Sequence, residues 1–172
     1  MKLKKPCFGF PPTIAVKSEH AASGSSSLLN EERFIRGLKG CTNVVQSFGS
    51  DITTTNSGDI IYNVFLELAS GGLADFIKKS GSGTGMPEFL VRNYNRSILI
   101  GLKQVHDRGF VHCDIRPHNV LLVPNADGYV AKIADFGLAK RRRGTNLFFS
   151  PEMVRYEFRK RLQIFGRLGV VC

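Results

Sequence analysis

The feature that most constrains this chain is a pair of chemistry-bearing turns set among apolar runs. His112-Cys113-Asp114-Ile115-Arg116-Pro117-His118-Asn119 lies between two apolar stretches, and Asp135-Phe136-Gly137 follows the next pair of apolar segments. Asp114 and Asn119 stand five residues apart on the first turn. A carboxylate on a tight loop suits proton acceptance, and an amide oxygen with a second carboxylate suits a hard cation such as Mg²⁺. Taken singly, each of these residues reads as a turn or cap residue.

The segments around them read as a mixture of strands and helices. Val120 to Val123 and Tyr129 to Ile133 are two short strands, and Asn125-Ala126-Asp127-Gly128 is a hairpin signal. Upstream, Pro87 suits the first turn of a long helix. Its apolar positions Val91, Tyr94, Ile98, Leu102 and Val105 recur at three- and four-residue spacing, and Gly109 ends it. Ile14-Ala15-Val16-Lys17 predicts a strand ending at Lys17. A helix is expected from Leu28 to Leu38, capped by Ser27 and stopped at Gly40, with Leu28, Leu29, Ile35 and Leu38 inward. Val44-Val45 and Ile60 to Leu68 read as strands separated by a turn over residues 53 to 58. Ser70-Gly71-Gly72 breaks the chain before a short helix carrying Leu73, Phe76 and Ile77. Strands with one helix, then mostly helices with one hairpin, argue for an α+β fold in two lobes.

Composition excludes several function classes. The 172 residues suffice for one domain with a core, and no apolar run is long enough to cross a bilayer. The basic start, Met1 to Lys5, is followed by the Pro6 to Pro12 stretch and lacks a secretory apolar core. Cys7, Cys41, Cys113 and Cys172 have no Cys-x-x-Cys spacing and read as free thiols of a reducing compartment. The net charge of +10 gathers in terminal and loop clusters, Arg141 to Arg143 among them, with no interleaved aromatic platform. That arrangement argues against specific nucleic-acid binding.

The two turns together resemble the catalytic loop and metal-binding segment of protein kinases. The chain is similar to serine/threonine kinases, and most of all to the plant mitogen-activated protein kinase kinase kinase (MEKK-like) group, from Ile14 to about Glu152. The resemblance implies a single partial kinase domain over residues 1–172, with a small lobe over about 1–68 and a large-lobe fragment over about 69–172. It implies ATP and Mg²⁺ as cofactors, with transfer of the ATP γ-phosphate to protein Ser/Thr hydroxyls in a MAP-kinase-like cascade. Asp114 would accept the hydroxyl proton, Arg116 would meet the γ-phosphate, and Asn119 and Asp135 would hold the metal. Lys17 would hold the α- and β-phosphates and be held in turn by Glu31, with Glu32 as the rival. Glu67 and Ala69 would read the adenine edge through their backbone. Ala15 and Leu121 would sandwich the ring, and Leu66 would be the gatekeeper. Gly144-Thr145 and Phe148-Phe149-Ser150-Pro151-Glu152 resemble the segment whose Thr145 bridges toward Asp114 and Arg116.

Departures from the family pattern carry their own expectations. No glycine-rich phosphate loop precedes Lys17, and Pro11-Pro12 removes backbone donors there. Arg116 stands where the family has Lys, so transfer is expected to be reduced rather than lost. Cys113 stands where the family has an Arg that pairs with an activation-loop phosphate, so control through that pair is not expected. The stretch from Gly137 to Ser150 is short and holds the basic run Lys140 to Arg143, read as a solvated loop. The closing helices of the large lobe are absent, which would open apolar surface to a covering partner. Further expectations are a protein substrate, itself a downstream kinase, no membrane, and a cytoplasmic location with the nucleus as a second compartment. The alternatives are a catalytically impaired, pseudokinase-like protein that binds nucleotide or a partner, and a truncated product without function.

Overall fold

A computed structural model describes residues 11–21, 26–80 and 86–142 of the chain. In order these form β1 (Ile14–His20), α1 (Ser26–Gly37), β2 (Ser47–Thr54), β3 (Ile60–Glu67), β4 (Gly71–Gly72) and α2 (Leu73–Ser80). There follow α3 (Glu88–Asp107), β5 (Phe110–Val111), a single 3₁₀ turn (Pro117–Asn119), β6 (Val120–Asn125), β7 (Gly128–Ile133) and β8 (Lys140–Arg141). The fold is α+β, as the sequence pattern predicts.

The first sheet is antiparallel in the order β1-β3-β2. Its central strand is the apolar run Ile60–Glu67, and Val64 at its middle is fully buried. Ala15 faces Leu66 across the ladder and Lys17 faces Val64. Between Ser47 and Gly49 the β2 register slips by one residue, and Gly49 takes φ 125°, a conformation that glycine adopts without a Cβ clash. The second sheet has the order β4-β6-β7, and β5 pairs with β8 in a two-stranded ribbon.

α3 buries Tyr94, Ile98, Leu102 and Val105, one stripe at helical spacing, against β7. Gly101 lies on that stripe because a Cβ there would stand 2.7 Å from the Asn43 carbonyl oxygen and 3.0 Å from Ile133 Cδ1. α1 buries Phe34 and Ile35 against the same core, and its Leu28 is buried as well. The two sheets are joined by backbone. Val44 makes a parallel bridge to Ile133, Val45 N–H donates to the Ile133 carbonyl (2.9 Å), and Ile133 N–H donates to Asn43 (2.9 Å).

Several local expectations need correction. β1 does not end at Lys17 but runs to His20. Val44-Val45 is no strand: Val44 is a lone bridge, and the strand is the polar Ser47–Thr54. Thr53 and Thr54 belong to β2, and the turn is closed by Thr55 N–H to Asp59 and Gly58 N–H to Thr55. β3 ends at Glu67, one residue before Leu68. α1 begins at Ser26, so Ser27 lies within it, and Leu29 faces solvent at 42% exposure. The helix ends at Gly37 and a turn carries the chain to Gly40, φ 85°. Pro87 precedes α3 rather than opening it. Lys140-Arg141 is β8 rather than loop, paired with Phe110-Val111. The glycine-loop expectation falls on residues largely before 11. The expectations for Thr145, Phe148 to Glu152 and the C-terminal helices fall after 142. Both lie outside the described residues.

Candidate active site

β5 delivers the chain to a turn that is built around a buried imidazole. His112 is 1% exposed; its Nε2 lies 2.9 Å from the Ala134 carbonyl, and its Nδ1 accepts the Asp114 N–H at 3.3 Å. This pairing requires the neutral ring with the proton on Nε2. Burial accordingly holds the His112 pKa below its ordinary value, with Ala134, Asp135 and Asp114 pulling weakly the other way. Cys113 takes φ 68°, a left-handed conformation that costs a non-glycine residue of the order of 1 kcal/mol or more. The cost is met where the backbone must turn Asp114 out of the core.

The 3₁₀ turn then returns Asn119 to Asp114. Asn119 is buried, and its Nδ2 donates to the Asp114 carbonyl (2.9 Å) and to Asp114 Oδ2 (2.8 Å). Arg116 Nε lies 3.3 Å from the same Oδ2. One Asp114 oxygen is therefore held from two sides.

Asp135 also lies in a left-handed conformation, φ 61°. The next residue, Phe136, is wholly buried with its ring edge-on to His112 at 4.7 Å between centroids. The two strained turns are therefore joined in the core by this ring contact, by His112 on the Ala134 carbonyl and by Ala134 N–H donating to the Asn119 carbonyl (2.9 Å). Lys17 reaches this region from β1. Its ammonium is 2.6 Å from Glu31 Oε2 and 3.6 Å from Asp135 Oδ1. Glu32, the rival partner, pairs instead with Arg36 one turn along α1. Burial lowers the Lys17 pKa, but the Glu31 carboxylate and then Asp135 outweigh it and hold the ammonium above its ordinary value. Burial raises Glu31, and Lys17 offsets that only in part. Glu31 is the buried member of the pair and Lys17 is nearly half exposed.

At the end of β3 the predicted adenine-edge residues are close to the joint between the sheets. Glu67 N–H donates to the Gln46 carbonyl (2.9 Å), so that donor is engaged; Ala69 N–H meets no acceptor among the described residues. Ala15 on β1 and Leu121 on β6 are half-buried in separate sheets, and Leu66 packs on the core. The Glu67 side chain turns to β7, where Lys132 Nζ donates to Oε1 at 2.7 Å and Oε2 at 2.9 Å.

Sequence reasoning missed three residues here. Lys132 and Gln46 flank Glu67, the Gln46 N–H donating to Glu67 Oε2 at 3.2 Å. Asn30 on α1 donates to the Gly137 and Ala139 carbonyls at 2.9 and 3.4 Å. Their partners are 21 to 109 residues away, so no local spacing could have signalled them.

The donor chemistry fits a divalent cation shared with phosphates. Asn119 commits its nitrogen to Asp114, which leaves its oxygen as the atom available to a hard cation, and Asp135 offers an anionic oxygen. Two protein ligands suit Mg²⁺, which takes its remaining coordination from phosphate and water.

Comparison with known proteins agrees with this geometry. The protein kinase domain family matches residues 13–165. The chain is 44% identical over 159 residues to mitogen-activated protein kinase kinase kinase 20 of Arabidopsis thaliana, covering 84% of this chain and 45% of that protein. Mitogen-activated protein kinase kinase kinases 17 and 18 of the same plant are 35% and 36% identical, covering 84% and 88% of this chain and 39% and 47% of their own lengths. The chain therefore spans less than half the length of these relatives.

Proposed function

The chain belongs to the protein kinase family, and from that premise we propose that it transfers the γ-phosphate of ATP to serine or threonine hydroxyls of a protein substrate. The relatives named as mitogen-activated protein kinase kinase kinases support a place in a kinase cascade, with a downstream kinase as substrate. The observation that carries the reading is the meeting of Lys17 with both Glu31 (2.6 Å) and Asp135 (3.6 Å). Residues from β1, α1 and the turn after β7 have no packing need to converge on one ammonium. A phosphate site needs them there.

In this mechanism Asp114 orients the substrate hydroxyl and takes its proton as that oxygen bonds the γ-phosphorus, while the bond to the ADP oxygen breaks. Arg116, already beside Asp114, offers its guanidinium to the transferred phosphate. Lys17 holds the α- and β-phosphates. Asn119 and Asp135 would hold Mg²⁺, which supplies charge neutralisation on the phosphates when bound. Ala69 N–H and the Glu67 carbonyl read the adenine edge, with Ala15 and Leu121 on its faces. Thr145 would complete the substrate side. The protein would act in the cytoplasm; no helix among the described residues is long and apolar enough to cross a membrane.

The test is thermal unfolding of the chain with and without Mg²⁺-ATP, followed by a transfer assay with Asp114→Ala as control. An upward shift of the transition, with transfer lost in the variant, is expected. A cooperative transition that ignores Mg²⁺-ATP would sink the reading.

A further inference from the structure

α1 is fastened to its surroundings at several points, and one fastening reaches the turn that carries Asp135. At its start, Leu28 N–H donates to Glu19 of β1 (3.3 Å). At its end, Arg108 of the α3 terminus donates to the Gly37 carbonyl (2.9 Å). Between these, two consecutive side chains grip the 135–139 turn. Glu31 takes the Lys17 ammonium, which itself lies 3.6 Å from Asp135 Oδ1. Asn30 donates to the Gly137 and Ala139 carbonyls. The approach is close: a Cβ on Gly137 would lie 2.5 Å from Ser27 Oγ. The turn itself holds Asp135 in a left-handed conformation, so it needs outside contacts to keep that shape.

We propose that Asn30 is a positioning residue, whose amide ties the turn carrying Asp135 to the helix that carries Glu31. The proposal rests on the reading of Asp135 as a metal ligand and adds a residue that touches neither nucleotide nor metal. Asn30 fixes the two carbonyls beyond Asp135 and so fixes the direction of its carboxylate. Without that amide the turn loses its support from α1, and its metal affinity falls. Asn30 suits the task because its amide can donate two hydrogens at once, which Asp, Ala or Ser cannot.

The experiment compares the wild-type chain with Asn30→Ala, Asn30→Gln and, as a control on the same helix, Arg36→Ala. Hydrogen exchange without nucleotide is read on peptides covering 26–37, 134–142 and β6. Asn30→Ala is expected to speed exchange in the first two together by roughly five- to tenfold, the weight of one or two net hydrogen bonds, and to leave β6 unchanged. Asn30→Gln, which keeps an amide donor, should recover part of the protection, and Arg36→Ala should leave 134–142 as in the wild type. Second, the Mg²⁺ concentration giving half of the ADP-induced thermal shift should rise several-fold in Asn30→Ala. Unchanged exchange over 134–142, or β6 loosened as much as the turn, overturns the proposal. So does an unchanged Mg²⁺ midpoint in a variant whose wild type responds to the ion. A wild type that shows no Mg²⁺-dependent ADP shift overturns the metal reading of Asp135 instead, and is recognised because it fails before any substitution is made.

Discussion

Asp114 has two oxygens in unlike surroundings. Oδ2 is occupied by Asn119 and Arg116, so the proposed proton acceptance falls to the other oxygen. Asp114→Ala is expected to lower transfer by a factor of about 10² to 10⁴ while leaving the Mg²⁺-ATP thermal shift near its wild-type size, measured on the same preparation. Gly101 makes a different kind of prediction, one about fit. Gly101→Ala drives a methyl against the Asn43 carbonyl, backbone that cannot swing aside, and should cost about 1–3 kcal/mol in denaturant unfolding. At this scale the sequence was most readable where partners are close together: Asp114, Arg116 and Asn119 sit on one turn whose residue types already limit the chemistry. Lys17 and Glu31 were reachable only through family resemblance, because a strand lysine and a helix glutamate are ordinary surface residues until the fold brings them together. Asn30, Gln46 and Lys132 gave no signal, since each acts on a backbone or carboxylate brought in from another element.

Elements show the same divide. α3 was legible over nearly its whole length because burial imposes helical spacing on Tyr94, Ile98, Leu102 and Val105. β2 was not. Its residues are Ser, Gly, Asp and Thr among few apolar ones, it is half-buried or exposed throughout, and it owes its strand form to pairing with β3 rather than to its own pattern. β8 was misread for a similar reason: Lys140 and Arg141 are solvated as expected, yet their backbone completes a ribbon with Phe110 and Val111, and Arg141 lies over the Phe110 ring. Between elements, the Glu67–Lys132 pair links β3 to β7 with both side chains mostly buried, 21% and 12% exposed. Lys132→Met alone should cost roughly 2–4 kcal/mol in unfolding, because it strands a carboxylate that water reaches poorly. Adding Glu67→Gln to it should return a good part of that loss, since the penalty lies in the unpaired charge. A loss in the double variant equal to the sum of the two single losses would show that the pair is not coupled.

For the whole molecule, stability and the site share a proton switch at His112. Its folded pKa lies below the ordinary value of about 6.5, so the unfolded chain binds a proton first as pH falls. The contribution is therefore complete above about pH 6.5 and is lost as pH falls toward the folded value. Protonation at Nδ1 would also remove the acceptor for the Asp114 N–H, so the catalytic turn should loosen with the same titration. Thermal midpoints taken from pH 8 down to 5 should fall below about 6.5, and less steeply in His112→Gln once its lower starting stability is allowed for. The junction formed by Asn43, Val44 and Val45 with Ile133 has a mechanical meaning. It ties the segment that enters β2 to β7 through main-chain bonds, beside the Glu67–Lys132 pair, and is the natural place for a fulcrum. Rocking of that sheet would leave Val44 and Ile133 nearly still, while the gap between Lys17 and Asp135, farther out on the lever, would open and close.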